Sequence, residues 1–135
     1  MPTEITLETI SFLEKCYIYW KTKNYGRRIE HIALMLSVAI YMNKNIYEEE
    51  LDSAREYLKT FFKDEVDVNN IMEYVVMRLK AYQDEESVWL EDRQEAFNLI
   101  IKDEELYGCM GDIFNADDKF DESEEIFEEA LKRLL

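Results

Sequence analysis

Residues 32–51, IALMLSVAIYMNKNIYEEEL, decide how this chain folds. The first eleven are apolar apart from Ser37, the composition of a helix buried nearly all round. Asn43, Lys44 and Asn45 break the run, Ile46 follows, and Glu50 sits where the next apolar stretch opens. The spacing of Asn43, Ile46 and Glu50 recurs 74 residues later as Asp117, Phe120 and Glu124. Each copy reads as a helix, a short oxygen-rich loop, and a second helix with a carboxylate in its first turn. The unit ties two amphipathic helices together and places acidic side chains where a hard cation can sit.

Outward from that stretch, the chain reads as one domain, 1–135, with residues 26–62 and 103–135 as the two repeated units. Its 135 residues are 47% apolar, enough for a single core. Three Gly and one Pro leave too little turn chemistry for a sheet-rich fold. The expected fold is therefore all-α, a compact bundle of about seven antiparallel helices. Apolar periodicity predicts helices over 4–23, 27–42, 48–62, 70–82, a fifth after 84–86, 103–115 and 122–135. Thr3 or Thr6 would cap the first, with Ile5, Ile10, Leu13, Tyr17 and Trp20 on its buried side. Residues 63–70 read as a charged connection. Asp121 and Glu124 form a capping box, which gives the last helix a sharp start.

Charge narrows the partners. The chain carries 31 Asp or Glu against 16 Lys or Arg, for a net charge near −15. Between residues 84 and 129 there are 18 acids and only Arg93, Lys102 and Lys119 as cations. Repulsion disfavours nucleic acid and anionic membranes, and favours cations or a protein with a basic surface. The one basic cluster, Lys21, Lys23, Arg27 and Arg28 around Tyr25, is expected to pair within the molecule or stay solvated. Cys16 and Cys109 sit in apolar stretches and read as buried free thiols, which suits a reducing compartment. The N-terminus lacks the pattern of a secretory signal and no stretch is long enough to span a bilayer, so the expectation is a cytoplasmic protein without membrane insertion.

The chemistry-bearing residues point to binding. Asp117, Asp121 and Glu124 are close enough in sequence to converge at one loop, and Asn43, Asn45 and Glu50 supply the facing side if the two units pack together. Oxygen donors of this kind suit Ca²⁺ or Mg²⁺. The bland alternative is that these acids cap helices and stay solvated. An EF-hand does not fit, since Lys119 and Glu122 stand where a ligand and Gly are required. His31 is the only histidine, so no Cys–His pair with an orienting group can be assembled, and no phosphate loop, zinc spacing or serine elbow is present. No enzyme is expected and no catalytic residue is assigned. Aromatic residues at helical spacing read as core, and any left exposed would mark a protein interface.

Residues 116–124 and 39–51 together resemble the signature of the TerB-like fold, named for a tellurite-resistance protein, in which the motif occurs once in each half of an all-helical domain. The second copy is the closer match. In the first, Asn43 stands where Asp is expected and Lys44 where Gly is usual, so a cation site there is weaker and has a positive charge nearby. The resemblance covers roughly residues 27–135, with the first helix as an addition. It implies a seven-helix bundle, an acidic face proposed to bind divalent metal, and a role in stress or toxic-anion response as an intracellular interaction module. A second resemblance, of residues 107–131 to a tetratricopeptide repeat through Gly111, Phe114, Phe120, Phe127, Ala130 and Leu131, lacks a good second copy near the 34-residue spacing. A further alternative is an acidic inhibitor or nucleic-acid mimic, its carboxylates spread along 84–95 and 122–129.

Overall fold

In a computed structural model, the described residues are 3–42 and 44–102. They form a bundle of five packed α-helices, α1 (Phe12–Lys23), α2 (Arg27–Ile40), α3 (Glu48–Leu58), α4 (Glu65–Asp84) and α5 (Glu86–Lys102). Helix α2 lies at the centre and packs on all four others. Every residue from Ile32 to Ile40 is buried, as an all-round apolar helix must be. Ser37 tolerates that position because its hydroxyl donates to the Ala33 carbonyl at 2.8 Å, so the polar group is satisfied within its own helix.

Residues 3–11 are not helical, in contrast to the predicted start at residue 4. Thr3, Ile5, Thr6, Thr9 and Ile10 are β-branched and gain little from a helix. The segment instead runs against the loop before α3, with the Ile5 amide donating to the Ile46 carbonyl at 2.9 Å and the Glu48 amide to the Thr3 carbonyl at 2.7 Å. The Glu49 carboxylate closes the pairing by accepting from the Thr3 amide at 2.8 Å, and that backbone bond lowers its pKa. Helix α1 begins only where Ser11 caps it, the side chain accepting from the Glu14 amide at 3.3 Å.

The buried face of α1 is also not the predicted one. Ile18 and Thr22 point inward, whereas Phe12, Leu13, Tyr17 and Trp20 are 77%, 79%, 58% and 62% exposed. Cys16 is exposed as well, which corrects its reading as a buried thiol. Apolar residues occur almost all round this helix, so periodicity cannot choose a face. Polar contacts to α4 choose it instead: Lys21 Nζ donates to Glu73 Oε2 at 2.8 Å and Arg78 Nη1 to the Tyr19 hydroxyl at 2.6 Å.

Helix α3 ends at Leu58, four residues before the predicted end, and α4 begins at Glu65, five before the predicted start. The stretch read as a charged connection contains a capped first turn. Asp64 accepts from the Val66 amide at 2.8 Å, and Glu65 and Asp67 place negative charge at the positive end of the helix. No described helix is long and apolar enough to cross a membrane. The expected helices over 103–115 and 122–135 lie outside the described residues.

Candidate functional site

The loop of the first signature copy joins α2 to α3. Lys44 takes a left-handed conformation, φ 69°, which favours glycine. Its amide donates to the Tyr41 carbonyl at 2.9 Å. Its side chain reaches α5, where the ammonium pairs with Glu86 and sits 3.9 Å from the centroid of the Trp89 ring. The positive charge expected beside the loop is thus committed to α5. Lys44→Ala is expected to destabilise by about 1 kcal/mol through loss of the cation–π contact. Lys44→Gly should cost less, because it also removes a left-handed cost of roughly 1 kcal/mol; urea unfolding of the two variants checks the order.

Beyond the turn, Ile46 is buried at 1% exposure and Glu50 at 0%. Glu50 is therefore not a solvated acid at a helix start. Asn45, by contrast, is exposed. Asn43, Asp117, Asp121 and Glu124 lie outside the described residues. Among the described residues, no group of three or more His, Cys, Asp or Glu side chains is placed to hold a metal ion.

A second cluster joins α1, α2, α4 and α5 around a polar cleft of about 320 Å³. Asp92 accepts from Arg78 Nε at 3.0 Å, from Arg78 Nη2, and from the Tyr82 hydroxyl at 2.7 Å. Burial pulls the Arg78 guanidinium down, but the Asp92 carboxylate more than offsets it and holds Arg78 firmly cationic. Burial, and then the same carboxylate, push the Tyr82 phenol far above its usual range. Burial also pushes Tyr74 up to about 12, against the pull of Arg78. All three donors converge on Oδ2 of Asp92, which ties α5 to α4. The half-buried His31 lines the same cleft.

The phenols make alkaline pH a test of the core. A raised folded-state pKa contributes stability that is complete below the ordinary tyrosine value of about 10 and is lost as pH climbs toward the folded value. Urea midpoints are therefore expected to fall between pH of about 10 and about 12. Tyrosinate absorbance followed in parallel should show some phenols ionising only as the fold is lost.

A third feature is a groove of about 980 Å³ bounded by the N-terminal segment, α1 and α3, with α4 as its floor. Ile18 and Met72 are buried in it, and Leu51 and Val76 are half-buried. Both of its cations are engaged. Lys21 pairs with Glu73 and also donates to Asn70 at 3.3 Å, while Arg55 Nη1 donates to Asn69 at 2.5 Å. Tyr17 connects the groove to the exposed strip of Phe12, Leu13 and Trp20. Three of the basic-cluster residues line these surfaces: Lys21 makes its intramolecular pair with Glu73 in the groove, while Lys23 and Arg27 line the polar cleft.

No family model matches the chain, and no curated protein or solved structure is significantly similar to it. Periodicity missed both the Arg78–Asp92 tie and the groove. One signal for the tie was available, because Trp89, Asp92, Ala96 and Ile100 lie at the spacing of a single helix face, and an acid on an apolar face demands a buried partner.

Proposed function

We propose that this chain is a TerB-like binding module. It would bind a divalent cation, Ca²⁺ or Mg²⁺, where its two signature loops meet, and would recognise a protein partner with a basic surface, in a stress or toxic-anion response. In this reading the seven-helix bundle is completed by residues 103–135, the second copy of the repeated unit. Asp117, Asp121 and Glu124 are the principal ligands, with Asn43, Asn45 and Glu50 on the facing side.

The observation that carries the reading is Glu50. The signature carboxylate is wholly buried, together with the signature apolar residue Ile46. Burial at this position sets Glu50 apart from a solvated helix cap, the alternative reading of these acids. The left-handed turn at Lys44 gives further support, since it meets at that position the backbone demand for which the resembled family carries glycine.

Calorimetric titration of chelator-treated protein with Ca²⁺ and Mg²⁺ tests the proposal, beside a variant combining Asp117→Ala and Glu124→Ala. The expected result is saturable binding near one ion per chain that the double variant abolishes. Heat that is absent, or unchanged in the variant, would leave these acids as helix caps. A tight ion adds RT ln(1 + [L]/Kd) to stability, roughly 2.7 kcal/mol at a hundredfold excess over Kd, so thermal unfolding gives an independent reading of the same event.

A further inference from the structure

The groove between α1 and α3 carries an imbalance that the cation reading does not use. Its apolar floor is Ile18, Leu51, Met72 and Val76, and the cations Lys21 and Arg55 are already spent on Glu73, Asn70 and Asn69. Glu14, Glu48 and Asp52 line the same groove, are exposed, and enter no ion pair among the described residues. The walls bearing these acids are the helices α1 and α3, and the amides of Glu14 and Glu48 are already spent on Ser11 and Thr3, so recognition there runs through side chains.

We infer that this groove is a docking site for an amphipathic helix of a partner protein, one with an apolar ridge flanked by Lys or Arg. The apolar ridge fills the floor between α1 and α3, as amphipathic helices do when laid into hydrophobic grooves. The flanking cations neutralise Glu14 on one wall and Glu48 and Asp52 on the other. The exposed Tyr17 side chain, at the groove's edge, extends the contact toward Leu13 and Trp20. The inference rests on the chain being a binding module, but not on any metal.

A labelled helical peptide with leucines at i, i+4 and i+7 and lysines on both flanks is the probe, and the same peptide with glutamates for lysines is the control. Anisotropy is read with the full chain at about 100 mM NaCl, alongside the NMR methyl signal of Met72. The expected result is saturable one-to-one binding of the lysine peptide, a shifted Met72 methyl, and affinity weakened roughly tenfold by Glu14→Lys combined with Asp52→Lys. The milder pair Glu14→Gln and Asp52→Asn should weaken it less, and circular dichroism confirms that each variant folds. The inference is overturned by no binding, by equal binding of the glutamate peptide, or by binding that the reversal leaves intact or that leaves Met72 unmoved. A Met72 shift that grows with protein concentration alone would assign the groove to a second copy and equally overturn it. Failure here with a positive metal titration removes the groove alone; failure of the metal titration with a positive result here removes the cation.

Discussion

Asp92→Ala is expected to lower the free energy of unfolding by about 3–5 kcal/mol, the usual cost of stranding one member of a buried ion pair. Arg78 and Asp92 retain only 15% and 11% side-chain exposure, so the guanidinium cannot recover its hydration by a small movement. The Tyr82 hydroxyl loses its acceptor at the same time. Asp92→Asn keeps an oxygen for one donor and should cost less, whereas an Arg78→Met, Asp92→Leu double variant should recover much of the loss, because it removes both charges together. Urea denaturation of the double variant beside the single variants Arg78→Met and Asp92→Leu gives the coupling as a double-mutant cycle.

Leu36→Ala is expected to cost about 2–5 kcal/mol, while Leu13→Ala stays within about 0.5 kcal/mol of the parent. The two leucines look equally suited to a core in the sequence. Leu36 is wholly buried in the central helix and Leu13 is 79% exposed. The contrast marks where periodicity stops being informative. For α2 the composition settles the matter, because a helix with no polar face has nowhere to go but the middle. For α1 the apolar residues encircle the helix, and the face is chosen by partners distant in sequence: Glu73 and Asn70 for Lys21, and Arg78 for Tyr19.

The same division holds for the ends of the helices. Residues 3–11 carry apolar residues at spacings that fit a helix, yet their β-branched content and the carbonyl of Ile46 draw them into an extended pairing. Residues 63–70 look like a linker because they are charged, and their charges are those of a capped first turn. The break between α2 and α3, in contrast, was legible from Asn43, Lys44 and Asn45. Of the candidate site, its loop and its carboxylate at Glu50 could be named from the spacing, but the burial of Glu50 could not. Nor could the groove, which exists only because α1 and α3 both lie on α4, a relation between residues far apart in the chain.

The proposed cation site is one that the two signature copies share. Paramagnetic broadening by Mn²⁺ tests it most directly, with amide signals of the whole chain followed as the ion is added in substoichiometric steps. The expected result is broadening that saturates near one ion per chain, affects residues 45–50 and residues 117–124 together, and is reversed by excess Mg²⁺ or Ca²⁺. Broadening that spares residues 45–50, or that spreads without saturation over the acids of the surface, would contradict a shared site.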